Sequence, residues 1–367
     1  MARAKTKAQD AIAIFISPHG LGHAARAAAV MEAIRVRQPG VRLELFTTAP
    51  EWFFQSSLKG PFRYHKEACD VGLVQKNAME EDLSETIKIL DGFLPFSEAR
   101  VKRLAAAVRR AGCRLVICDI APLGIAVAKA AGVPSILIEN FTWDWIYAAY
   151  RDPGGHMGRH IAYLRSWFRQ ATYRVQTEPV SVPAPDAALV TPPVGRRPRL
   201  SRAAMRVRLG LEAGRKAVLL TMGGVAHPLG FMNRLARRTD ICFLLPGNRQ
   251  DLHVEGAIHH IPQHLDFYHP DLVHASDAVV GKAGYSTLAE VYHAGVPFGY
   301  VLRERFPEAA KLGAFIDREM SGIQIAPADF ESGIWIRRLD KILSLPRAVR
   351  TRVNGADRIA KWVEGLA

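Results

Sequence analysis

Cysteine is scarce in this chain: Cys69, Cys113, Cys118 and Cys242 are the only four among 367 residues. None stands in a C-x-x-C pair and the density is far below that of a disulfide framework, so structural zinc and a disulfide scaffold are both excluded. Such sparing use points to a reducing compartment, the cytosol. Long apolar runs are missing too. The early run AIAIFIS, residues 11–17, falls well short of the roughly 18 residues that span a bilayer. It is also too short for a signal segment, and Pro18 and Gly20 lead it into a loop instead of a cleavage site. No D-x-D pair follows an apolar run, which leaves no acidic couple to carry a divalent cation.

Acid is the minority charge. Lys and Arg number 49 against 35 Asp and Glu, a formal net charge of +14. Arginines crowd residues 196–215, RRPRLSRAAMRVRLGLEAGR, where Glu212 alone opposes them. An excess of this kind suits an anionic partner: a phosphorylated substrate, an anionic acceptor or a lipid surface. No RNP-type aromatic motif, zinc finger or basic heptad accompanies it, so nucleic acid is not expected. Six histidines fall between His253 and His274, yet Pro262 breaks any helix that would align His260 with His264. Without H-E-x-x-H or a carboxylate partner, no metal site is expected there. His156 and His160 sit among Gly154, Gly155 and Gly158, which reads as a loop.

What the chain has is alternation. Apolar runs at 12–17, 42–47, 114–120 and 135–139 read as strands, and residues between them carry helical periodicity, as in Ala27, Val30, Met31 and Ile34. The second half repeats this at 217–222, 241–246, 257–261, 278–281 and 298–302. "AGVPSILI" from Ala131 and "AGVPFGYV" from Ala294 echo each other, each predicting a helix-ending glycine and a proline at a strand start. At this length a single core is unusual, and "TPPVGRRPRL", residues 191–200, reads as a linker. The expectation is an α/β protein of two doubly wound, Rossmann-like domains, residues 1–195 and 196–367. The last helix is a candidate to pack back on the first domain. Ligand would lie at the carboxyl ends of the strands, in the cleft between them.

Each half opens with strand, glycine loop and helix. In "TMGGVAHP", residues 221–228, Gly223 and Gly224 let the backbone approach a phosphate; the bland alternative is a tight turn. In "SDAVVGKAGYSTLAEVYHAGVP", residues 276–297, Thr287-x-x-Glu290 fits a capping box, while a carboxylate in the crevice also suits ribose hydroxyls. The opening loop, "ISPHGLGHAAR", sets His19 and His23 among Gly20 and Gly22. Imidazole in such a loop can take a proton near neutrality, or it can merely brace the loop. "ENFTWDWIYAAY", residues 139–150, brings Asn140, Trp143 and Asp144 past a strand end. Trp143 can stack on a ligand or pack a core, and Asp144 is a rival base.

"GKAGYSTLAEVYHAGVPF" resembles the donor-binding signature of inverting glycosyltransferases of the GT-B fold, the group of the lipid II N-acetylglucosaminyltransferase and monogalactosyldiacylglycerol synthase. Together with "SPHGLGHAAR", "ENFTWDWIYAAY" and the run to "RERFPE", it is more closely similar to the glycosyltransferase-like amino-terminal region of L-arabinokinases. That resemblance runs to about Gly322 and does not reach their kinase half. It implies a diphosphate loop at Gly223 and Gly224, phosphate contacts from Gly284, Tyr285 and Ser286, and ribose held by Glu290. It puts "IPQHLDF", residues 261–267, beside the nucleobase. Arg303, Glu304 and Glu308 stand where the lipid II enzyme uses glutamines on the donor sugar, and Lys282 offers charge compensation. On the acceptor side it implies Gly20, Gly22, Asn140 and Trp143, with His19, His23 or Asp144 as base.

The function expected is inverting, metal-independent transfer of a hexosyl or N-acetylhexosaminyl group from a UDP-sugar to an acceptor hydroxyl. No cofactor is expected beyond the nucleotide-sugar substrate. Two other readings stay open: a nucleotide-sugar sensor without turnover, and a hydrolase or epimerase on the same fold. The setting expected is cytoplasmic, with no transmembrane segment and with room for a peripheral, membrane-associated acceptor.

Overall fold

A computed structural model describes residues 10–77, 79–152, 154–224, 228–247, 249, 251–262, 267–348 and 353–366. Two seven-stranded sheets face each other. The first contains β1 (Ala11–Ile16), β2 (Arg42–Thr47) and β3 (Arg63–Lys66); β4 (Val74–Gln75) and β5 (Glu81–Asp82) form a separate hairpin. It continues with β6 (Cys113–Asp119), β7 (Ser135–Glu139), β8 (Tyr173–Thr177) and β9 (Leu189–Thr191), in the order β3-β2-β1-β6-β7-β8-β9. The second sheet holds β10 (Lys216–Thr221), β11 (Ile241–Gly247), β12 (His253–Glu255), β13 (Ile258–Pro262), β14 (Ala278–Lys282), β15 (Phe298–Val301) and β16 (Gly322–Gln324). Its order is β12-β13-β11-β10-β14-β15-β16, parallel throughout except for the β12–β13 edge.

Burial on both faces explains why the central strands are nearly unbroken apolar runs. Along β1, Ala11, Ala13 and Phe15 join one core while Ile12, Ile14 and Ile16 join the other. The order reverses between β1 and β6 and again between β10 and β14, and these two switch points open toward each other. Gly132 and Gly295 end their helices at φ 74° and 64°, the left-handed geometry that the two "AGVP" echoes demand.

The final helix, Gly355–Glu364, returns to the first half. Ala356, Ile359, Ala360 and Val363 pack into the core beneath the opening helix, Gly22–Arg37. The arginine-rich stretch turns inward as well. Arg196 bonds Glu290, Arg202 and Arg206 hold Asp277, and Arg199 donates to the carbonyls of Ser56 and Ser57 in the first half. No helix among the described residues is long and apolar enough to cross a membrane.

Candidate active site

A cavity of about 730 Å³ fills the space between the switch points. Both glycine loops line it, and they touch. Ser286 Oγ donates to the carbonyl of Gly22 at 2.6 Å, and a Cβ on Gly224 would lie 2.6 Å from Leu21 Cδ1. With φ at +80° as well, position 224 has neither the room nor the backbone for a side chain.

On the first half, the opening helix begins at Gly22 and carries His23 and Arg26 on its first turns. Asp119 ends β6, the neighbouring strand, and meets both. Arg26 grips it through Nε and Nη2, each at 2.7 Å, and His23 Nδ1 lies 2.9 Å from Asp119 Oδ1. Burial opposes ionisation of Asp119, but the Arg26 charge and its hydrogen bonds outweigh it and hold the carboxyl below the ordinary range. An ionised Asp119 accepts only, so His23 must donate from Nδ1, which leaves Nε2 as the ring's proton acceptor. Burial lowers the pKa of His23 more than Asp119 restores it. Arg26 also reaches the second half. Its Nη1 donates to Asn140 Oδ1 at 2.6 Å, Asn140 donates to Glu308, and the guanidinium lies 5.0 Å from the centre of the Tyr285 ring.

His19 differs. Its Nδ1 accepts from the Leu73 N–H at 3.3 Å, so the neutral ring carries its proton on Nε2. Burial and then the charges of His23, Arg303 and Lys282 push its pKa well below the usual value. His19 is thus a neutral donor at physiological pH, a poor choice for base. Lys282, at the end of β14, is pushed down to about 7 by burial and by Arg303, against the pull of Glu308 and Glu81. Three groups able to donate from nitrogen, His19, Lys282 and Arg303, therefore crowd one wall and repel one another when charged. An anion relieves that repulsion.

Glu290 is 4% exposed, and both its oxygens are engaged: Arg196 Nε donates at 2.8 Å and His269 Nδ1 lies at 2.7 Å. Burial would raise its pKa, but Arg196 and His269 lower it overall. The helix it sits on starts at Tyr285 after Gly284, with no side-chain cap, so Thr287 is not a cap residue and the capping-box reading of Glu290 is corrected.

No protein-family model matches the chain. Among curated proteins, the L-arabinokinase of Arabidopsis thaliana is 27% identical over 362 residues, covering 97% of this chain and 34% of that protein. The chain thus spans about a third of the length of the curated relative it matches. Among solved structures, a UDP-glucosyltransferase from Polygonum tinctorium aligns with a TM-score of 0.62 at 14% identity, covering 99% of each chain. The spinosyn forosaminyltransferase SpnP aligns at 0.58 and 16% identity over 98% of this chain and 95% of its own. The chain has the GT-B fold. Arabidopsis thaliana UGT89C1, solved with UDP-L-rhamnose, aligns at 0.60 and 12% identity over 98% of this chain and 94% of its own.

Within the GT-B cleft, the residues read from the sequence gather with three exceptions, of which Glu304, exposed to solvent, is one. His19, Gly20, Gly22, His23, Asn140, Gly223, Gly224, Lys282, Gly284, Tyr285, Ser286, Glu290, Arg303 and Glu308 all line it. Asp144 does not. The short helix Trp143–Ala148 turns its carboxylate toward Arg165 Nε at 3.1 Å, in a separate cavity of about 360 Å³. Trp143 is corrected too: its ring is buried, its indole N–H donates to Asp70 Oδ2 at 2.8 Å, and its contact with His19 is edge-on from behind. Part of "IPQHLDF", residues 263–266, lies outside the described residues. Asp119 and Arg26 escaped the sequence reading. The available signal was an acid closing the apolar run "LVICD" beside the first strand.

Proposed function

We propose that this chain moves a sugar from a nucleotide diphosphate donor, with UDP as the nucleotide, to an acceptor hydroxyl with inversion. One observation carries the reading: an oriented His23–Asp119 pair and the His19–Lys282–Arg303 wall share a single cavity. The UDP and UDP-sugar ligands of structural neighbours support the choice of nucleotide.

In this mechanism the acceptor oxygen attacks the anomeric carbon and the bond from that carbon to the phosphate oxygen breaks. His23 Nε2 takes the hydroxyl proton, while Asp119 steadies the ring and offsets its new charge. Lys282, Arg303, the His19 Nε2–H and the backbone around Gly223 and Gly284 receive the charge of the departing diphosphate. Glu290 holds ribose through the oxygen edge that Arg196 and His269 orient. In this reading Lys282 and Arg303 serve the diphosphate in place of a metal ion. Transfer from UDP-sugars, screened across sugars and acceptors, is therefore expected to persist in excess chelator. Loss restored by magnesium or manganese would refute the metal-free reading. UDP binding without turnover of any donor would make the chain a sensor, and release of free sugar without acceptor would make it a hydrolase.

The ribose role has its own test. Glu290→Gln keeps the size and one acceptor but removes the charge, so UDP affinity should fall by about 1.5–3 kcal/mol, as for hydrogen bonds to charged groups. Calorimetry measures it, with melting as the check on folding. Unchanged affinity in a folded variant would remove ribose from Glu290.

A further inference from the structure

Hairpin β4–β5 belongs to neither sheet, yet it reaches across the cleft. Its base is fixed to the first half, where Val74 N–H donates to Thr86 Oγ1 at 2.9 Å and Asp82 caps the following helix through Glu85 N–H at 3.0 Å. Its tip lies on the second half, where Met79 packs against the apolar cluster that includes Val218, Val301 and Phe330. Gln75 forms part of the cavity wall. The side chain of Glu81 is 4% exposed and brings Oε1 to 3.5 Å from Arg303 Nη1; neither atom has a hydrogen-bond partner among the described residues. The Arg303 guanidinium also lies over the Phe306 ring, 3.6 Å from its centre. A cation on the diphosphate wall is thus paired with a carboxylate of the other half.

We propose that the β4–β5 hairpin is a strap that couples closure of the cleft to assembly of its anion site, with Glu81 as the residue that positions Arg303. This rests on the cavity being the diphosphate site. When the halves part, Met79 leaves its apolar seat and Arg303 loses Glu81, so the wall is complete only when closed.

The test is a double-mutant cycle read by calorimetry in the full chain, with inorganic pyrophosphate and UDP as probes. Glu81→Gln alters the ion pair, and Met79→Ser loosens the strap without changing charge. Each is expected to weaken both probes about tenfold in the native background and to have no effect in an Arg303→Gln background. Equal losses in both backgrounds would mean that the hairpin only supports the fold, which overturns the proposal. Tighter binding by Glu81→Gln would overturn it too, since Glu81 would then merely oppose the anion. A native chain that holds pyrophosphate but not UDP refutes the nucleotide reading and leaves the strap measurable. One that holds neither removes both.

Discussion

Alanine at His23 is expected to cut turnover by about 100- to 10,000-fold, the usual cost of losing a general base, while UDP affinity stays near native. In the proposed mechanism the donor contacts lie chiefly on the second half, and His23 acts on a proton that moves only in the transition state. Asp119→Asn should lower turnover as well, because the amide no longer dictates which ring nitrogen carries the proton. It also leaves Arg26 buried without its carboxylate, so this variant needs a melting measurement beside the kinetics. The pH profile separates base from scaffold. The base form of His23 is needed, and burial sets its pKa below 6.5, so kcat/KM should rise with pH along a limb centred below that value. Asp144→Ala, in the neighbouring cavity, is the control. Full turnover by the His23 variant, or a large loss by the Asp144 variant, would make the imidazole structural.

Lys282→Met is expected to lower kcat/KM for the donor by about 100- to 1,000-fold, the scale seen when one preorganised donor to a developing anion is removed. Its effect on pH dependence is more diagnostic. Burial and Arg303 bring Lys282 down to about 7, and a bound diphosphate favours the charged form. Binding therefore takes up a proton once Lys282 is neutral, and affinity falls as pH rises above about 7. Native kcat/KM should thus be bell-shaped and narrow, with the upper limb absent in Lys282→Met. An upper limb that survives the substitution would assign it to another group.

The central strands were legible because both their faces are buried, and a two-sided core admits only long apolar runs. Edge strands were not. RYHK at β3 is mostly polar, and HVE at β12 is only three residues long with all three exposed, so pairing alone makes them strands. Glycine loops were legible because they sit where apolar runs end. Side-chain partnerships across long separations were not: Asp119 meets residues 93 and 96 positions away, and Glu290 meets one 94 away. Asp144 misled because one helical turn rotates a carboxylate past a cleft that its chain position adjoins. The arginine run was visible as charge, but its destination, carbonyls and carboxylates of both halves, is set by the fold.

The chain crosses between the halves twice, once after Thr191 on the way out and once near Asn354 on the way back. Those crossings are tied together. Asn354 Nδ2 donates to the Gly195 carbonyl at 2.7 Å, Gly195 N–H returns a bond to Asn354 Oδ1 at 3.4 Å, and Gly355 N–H donates to the Pro193 carbonyl at 3.2 Å. A joint made of one tether lets two bodies twist, slide and swing; a joint with two bonded pins lets them only swing. Opening this molecule should accordingly follow a single axis, like a door on its frame. Each departure and each return then brings the same atoms past one another in the same order.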